Sequence, residues 1–269
     1  MSNTPRFLVA TDLSDAAGKA IDCATMVAKK FNAEIILFHV FEVADVDPYA
    51  NKLLTSNFLN REIKKQLQQN AQQIETKDGI KTSCLTKDGE LFELIAEAVV
   101  ETSADMLFVG THGIKGVQHI TGSFIAKAIN GANVPVWVVQ KESEIKSLEH
   151  IFIYVESHRH KAFQNNMLEL ALKFNAKLHF VFTDTPTGFA IVQMVDDLKK
   201  KLDGKTLDYN IHHLTEEHNW QKAFIDLAAK ENASLLVINC SGRPIEKYHE
   251  EIITNRLHVS VLCLNADEG

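Results

Sequence analysis

One stretch of this chain has the residue types and spacing of a device for holding anions. It reads Asp105-Met-Leu-Phe-Val-Gly110-Thr-His-Gly113-Ile-Lys-Gly116-Val-Gln-His-Ile-Thr-Gly122-Ser123. The apolar run Met106 to Val109 reads as a buried strand that stops at Gly110, and Gly122-Ser123 opens a helix-like run from Phe124 to Ile129. Between them the glycines let backbone approach a ligand closely, and the free N–H groups of a helix start attract negative charge. Phosphate is the chemistry such a loop serves. A plain glycine-rich strand-to-helix connection has the same spacing, so the loop alone leaves both readings open.

A ligand loop needs a sheet to hold it, and the flanking sequence supplies one. Phe7 to Ala10 is a short apolar strand ending at Thr11-Asp12, and Ser14 is a good N-cap for a helix from Asp15 to Lys30. Ile35 to Val40 is apolar on both faces, as a strand inside a parallel sheet should be. A helix from Lys52 to Lys77, a weaker strand from Ile80 to Thr86, a helix from Glu90 to Thr102 and a fifth strand from Val134 to Val139 complete the pattern. Strands alternating with helices predict an α/β fold of right-handed parallel units with helices on both faces. In such sheets ligands sit beyond the carboxyl ends of the strands, where strand order reverses. Asp12, Val40 and Gly110 all fall at such ends.

The second half repeats the first. Phe7 to Asp12 corresponds to Ile151 to Glu156, and Lys30-Phe-Asn-Ala33 recurs literally as Lys173-Phe-Asn-Ala176. Ala104 to Gly110 corresponds to Ala233 to Asn239, and Val134 to Val138 corresponds to Val259 to Cys263. The charged segment Lys141 to Lys146 divides two predicted domains, residues 1–141 and 148–269, each large enough for its own core.

Composition narrows the partners. The formal net charge of −7 argues against nucleic acid and acidic membranes, which want a basic face. Four cysteines (Cys23, Cys84, Cys240, Cys263) lie far apart without a CxxC pair; three of them sit in apolar segments, which reads most simply as small core residues in a reducing compartment. No apolar run reaches the roughly 20 residues of a membrane span, and the expectation is a cytoplasmic protein.

Thr11-Asp12 closing the first strand, Gly110-Thr-His-Gly113 closing the fourth, Gly122-Ser123 and the final Val-x-Val-x-Val strand together resemble the universal stress proteins. The resemblance spans the chain as a tandem of two such domains, stronger in the first. It implies two open parallel five-stranded sheets of the adenine nucleotide alpha hydrolase-like kind, and ATP, or AMP or ADP, in the first domain. Thr11 and Asp12 would meet the adenine or ribose region and the Val40 backbone the adenine edge. Gly110, His112 and Gly113 would line ribose and phosphates, while Gly122 and Ser123 would hold phosphate oxygens. Mg²⁺ would arrive with the phosphates. The nucleotide-binding branch spaces its loop Gly-x2-Gly-x9-Gly-Ser/Thr, whereas eight residues separate Gly113 from Gly122 here, a loop one residue tighter. The resemblance also implies that the fifth strands pair antiparallel, domain to domain; a homodimer of such chains is left open.

The second domain departs further. Glu156 stands in place of the aspartate, Asn239-Cys-Ser-Gly242-Arg-Pro244 keeps one glycine, and no Gly-Ser follows. Pro244 has no N–H to offer a phosphate. This half is expected to be an empty, structural partner.

Other chemistry finds less support. His158, His160, Glu156 and the pair His212-His213 give no i, i+4 ligand pair with a third ligand, so no metal site is expected. No Gly-x-Ser-x-Gly elbow is present, and no catalytic residue is assigned. The Gln- and Lys-rich run from Leu53 to Lys77 reads as a solvated amphipathic helix, with a cover over the site as the alternative. The expected role is a nucleotide-responsive stress sensor or adaptor for an unknown protein partner. The alternatives are a slow ATP hydrolase using His112 or His119 as base, and a structural protein that binds nothing.

Overall fold

The computed structural model describes residues 4–41, 52–111, 122–143, 147–155, 161–201, 206–215, 219–240 and 251–264. The first half runs β1 (Arg6–Ala10), α1 (Asp15–Phe31), β2 (Glu34–Phe41), α2 (Lys52–Asp78), β3 (Thr82–Asp88), α3 (Leu91–Thr102), β4 (Met106–Gly110), α4 (Gly122–Ala132) and β5 (Val136–Val139). The second half runs β6 (His150–Tyr154), α5 (Lys161–Phe174), β7 (Lys177–Phe182), α6 (Thr185–Lys201), β8 (Tyr209–His213), α7 (Trp220–Lys230), β9 (Leu235–Asn239) and β10 (Val261–Leu264).

The ten strands among the described residues form one sheet in the order β3-β2-β1-β4-β5-β10-β9-β6-β7-β8. Read from either edge, this is the same five-strand order, so the halves are related by a pseudo-two-fold axis between β5 and β10. Within each half every pairing is parallel; across the axis β5 and β10 pair antiparallel, with Leu262 opposite Trp137. The two predicted sheets are therefore continuous, and neither fifth strand is left as an open apolar edge, which would invite pairing with other chains. Helices α1, α2, α5 and α6 cover one face and α3, α4 and α7 the other. Trp137 on β5 is fully buried and stacks on Phe108 of β4, ring centroids 5.5 Å apart.

The repeat is visible residue by residue in the helix stops. Asn32 ends α1 at φ 55° and Asn175 follows α5 at φ 52°, and the Ala33 and Ala176 N–H groups donate back to Ala28 and Ala171. Asparagine tolerates this left-handed turn better than most residues, which explains the literal Lys-Phe-Asn-Ala repeat. Ser103 and Asn232 likewise turn left-handed after α3 and α7, and Asn133 and His258 do so before the fifth strands.

Two strand boundaries differ from the sequence reading. The fifth strand starts at Val136 rather than Val134, because Pro135 has no N–H for a ladder; its carbonyl instead accepts from the Leu107 N–H at 2.9 Å. The third strand runs Thr82–Asp88 rather than from Ile80, because Glu75 of α2 accepts the Thr82 N–H and Thr82 Oγ1 donates to the Ile80 carbonyl, closing a turn there. From Asn60 on, helix α2 packs through a narrow stripe of Leu67, Ala71 and Ile74 and is otherwise largely exposed, as a solvated amphipathic helix is.

Candidate functional site

In each half, strand order reverses between the first and fourth strands of that half, and these strands are neighbours. In the first half that brings the carboxyl ends of β1 and β4 side by side, with β2 on the other flank of β1. The Thr11 N–H donates to the Phe38 carbonyl at 2.9 Å and the Thr111 N–H to the Val139 carbonyl at 3.0 Å, so each strand is held one residue past its end. Thr11, Asp12, Val40 and Gly110, widely spaced in sequence, thus meet at one end of one sheet. Gly122 begins α4 and Ser123 follows it. The side chain of Ser123, and His112, Gly113 and His119 entirely, lie outside the described residues.

The turn after β1 is built tightly. Thr11 Oγ1 accepts from the Leu13 N–H at 3.1 Å, and Asp12 Oδ1 accepts from the Ser14 N–H at 2.9 Å. Ser14 then caps α1 by accepting from the Ala17 N–H. Between them Leu13 sits at φ 64°, an unusual place for a bulky residue and a sign of local strain. The two oxygens of Asp12 end up in different situations. Oδ1 is consumed by the turn, whereas Oδ2 is buried and has no hydrogen-bond donor among the described residues. A buried carboxylate oxygen without a donor is costly and calls for a partner.

Gly110 has a structural reason of its own. A Cβ built there would stand 2.7 Å from the Ala16 carbonyl oxygen and 2.9 Å from its carbon, so only glycine lets the first turn of α1 rest on the end of β4. Its presence follows from helix packing, and the close backbone brings that helix start toward the strand ends.

Sequence reasoning passed over His39. This buried histidine points to the α1 side of the sheet, and its Nδ1–H donates to the Thr11 carbonyl at 2.7 Å, fixing the residue before Asp12. A histidine inside an otherwise apolar strand was the available signal. Leu13 left none, since nothing in its neighbours marks a positive φ.

The equivalent place in the second half is built differently. Val155 and Cys240 repeat the backbone bonds of Thr11 and Thr111, donating to the Val181 and Leu264 carbonyls at 2.8 and 2.9 Å. Tyr154 occupies the position of Ala10, and Trp220 that of Leu91. Their rings stack face to face, centroids 3.7 Å apart and 9° from parallel, and Tyr154 Oη lies 3.2 Å from Thr183 Oγ1. Two large aromatic rings lie where the first half has a methyl group and a leucine. Cys240 is buried against Cys263, whose thiol is pushed well up by burial and then by its bond to Cys240; both are core residues rather than nucleophiles. Glu156 lies outside the described residues. Among those described, no three His, Cys, Asp or Glu side chains converge as a metal site would need, and no helix is long and apolar enough to cross a membrane.

The sequence profile of the universal stress protein family matches residues 3–140. Universal stress protein YxiE of Bacillus subtilis is 28% identical over 146 residues, spanning 50% of this chain and 98% of its own length. Universal stress protein MJ0531 of Methanocaldococcus jannaschii is 29% identical over 143 residues, spanning 51% of this chain and 82% of its own. A solved universal stress protein from Archaeoglobus fulgidus matches 97% of this chain and 98% of its own with a TM-score of 0.77 at 16% identity, a likeness of fold across both halves. This chain belongs to the universal stress protein family.

Proposed function

We propose that the chain binds one adenine nucleotide, ATP or its lower phosphates, at the carboxyl ends of β1 and β4, and acts as a stress-response sensor or adaptor rather than as an enzyme. The observation that carries this reading is Asp12 Oδ2, a buried acceptor without a donor among the described residues, at the point where strand order reverses. An adenine amino group or a ribose hydroxyl is the donor it lacks. Family membership makes adenine nucleotide the ligand class to test first.

Two further features support restricting the nucleotide to the first half. Gly110 and Gly122 flank the loop there, while the second half has Asn239 at the first of these positions. The Tyr154–Trp220 stack also puts two large rings where the first half has Ala10 and Leu91. The backbone of Val40, at the carboxyl end of β2, would meet the adenine edge. Gly122 and Ser123 at the start of α4 would meet the phosphates through N–H groups, with Mg²⁺ accompanying them.

The reading is tested by calorimetric titration of ATP into protein stripped of carried-over nucleotide and verified to be free of it. Saturable binding that an Asp12→Asn substitution weakens tenfold or more is the expected result. Absence of binding by the stripped wild-type protein removes the proposal.

A further inference from the structure

The second half carries three histidines that the nucleotide reading does not use. His150 on β6, His179 on β7 and His212 on β8 stand side by side across neighbouring strands. His150 Nδ1 lies 3.0 Å from His179 Nε2, and His179 Nδ1 lies 3.0 Å from His212 Nε2. His179 is fully buried with its ring stacked on Phe152 at 4.1 Å, and the His179 and His212 rings are 6° from parallel. His150 and His212, at the ends, are half-buried. The corresponding first-half positions are Arg6, Ile36 and Leu85, so the row belongs to this half alone.

Such a row is unsuited to a metal, because its inner nitrogens are spent on one another and its outer ones point apart. What it can hold is a proton, and the geometry fixes how many. Each of the two N···N gaps holds one hydrogen. The neutral row has three ring hydrogens: one in each gap and one on an outer nitrogen, either His150 Nε2 or His212 Nδ1. A first added proton fills the other outer nitrogen and leaves both bonds intact, its charge passing along the row by hydrogen transfer. A second added proton has to enter a gap that already holds a hydrogen. Two N–H groups then face each other at 3.0 Å, and that bond is lost.

We propose that this row is a proton sensor built into the second half: it takes up one proton shared by three rings, and a second proton breaks it and loosens β7 and β8. The charged groups bearing on the row are Lys177 on β7 itself, Asp208 ahead of β8, which pairs with Lys177 at 3.5 Å, and Glu231 at the end of α7. Over the same face α7 brings Phe224 and Ala228. Burial first, then His212, His150 and Lys177, hold His179 down at about 4, against the pull of Asp208. His212 is lowered as well, by burial and Lys177 against Glu231. The inference stands whether or not the first half binds nucleotide.

The test is an NMR titration of the imidazole signals of the full chain from about pH 8 to pH 4 (spanning the ordinary histidine range), alongside Trp220 emission. In the wild type the three rings are expected to shift together as one proton enters, and Trp220 and the β7 and β8 amides respond only in a second, more acidic step. In His179→Gln the link is cut, so the signals of His150 and His212 move independently of one another and the second step disappears. Three independent wild-type curves, or a second step unchanged in His179→Gln, overturn the proposal. Should His179→Gln not fold, His212→Gln at the half-buried end leaves a two-ring row; coupled titration of His150 and His179 supports the proposal, and independent titration overturns it.

Discussion

The ammonium of Lys173 lies over the ring of Phe31, 4.9 Å from its centroid, across the axis that relates the two halves. The reciprocal contact, Lys30 over Phe174, is present at 5.7 Å, and Lys173 Nζ also donates to the Lys30 carbonyl at 3.2 Å. All four residues come from the literal Lys-Phe-Asn-Ala repeat, so one short motif serves twice: its asparagine stops the helix and its Lys-Phe pair grips the copy in the other half. A double-mutant cycle on Lys173→Ala and Phe31→Ala, read by urea denaturation, should give a coupling of about 0.5–1 kcal/mol, the range of a partly exposed cation–π pair. Additive effects would make the contact incidental.

Two glycines on or beside α1 should respond with opposite sign. Gly110→Ala drives a methyl group into the Ala16 backbone, which cannot step aside, and should destabilise the fold by about 1–3 kcal/mol while displacing the start of α1. Gly18 lies within α1 with nothing inside 4 Å of an added Cβ, so Gly18→Ala should stabilise by about 0.5–1 kcal/mol through helix propensity. Thermal midpoints of the two variants measure the contrast.

Much of this was legible in the sequence, for identifiable reasons. The parallel strands were readable because buried strands of this kind are apolar on both faces, and the first helix because Ser14 marks its start; that the repeated Asn stops a helix emerged only from the backbone. Asp12, Val40 and Gly110 could be grouped in advance because the fold class sends strand ends to one place. The uneven use of the Asp12 oxygens, the positive φ of Leu13 and the bond from His39 to Thr11 depend on how a four-residue turn closes, which periodicity does not encode. Gly110 was read as a ligand residue, and its packing against Ala16 emerged only from the backbone. The histidine row escaped because His150, His179 and His212 are 29 and 33 residues apart and meet only through strand register.

The aromatic stack of the second half makes a further test. Tyr154→Ala with Trp220→Leu restores the residue types of Ala10 and Leu91. It should cost several kcal/mol, on the order of 3–5 for losing a large buried aromatic group. Binding of ATP to this half should still be absent, because no Gly-Ser pair follows Asn239. A second nucleotide bound by this variant would show that the stack alone had closed the site.

Acid should weaken the fold in a defined window. His179 is held at about 4 when folded, against an ordinary value of 6.5, so the folded chain binds fewer protons than the unfolded one between those values. Its contribution is fully present above pH 6.5 and is lost as pH falls toward 4, up to about 3 kcal/mol for a shift of this size. Chemical denaturation at pH 7.5 and pH 5 should show that loss in the wild type and a smaller one in His179→Gln. Equal losses would mean that other groups dominate.

The proposed site takes one adenine nucleotide per chain, held in the first half through Asp12. Equilibrium dialysis of nucleotide-free protein against labelled ATP, for the wild type and Asp12→Asn, tests it most directly. The account predicts one bound nucleotide per wild-type chain and a tenfold or greater loss of affinity in the variant, whose thermal midpoint stays close to that of the wild type because Asn retains the oxygen that accepts from Ser14. Two nucleotides per chain, none at all, or undiminished binding by Asp12→Asn would contradict it.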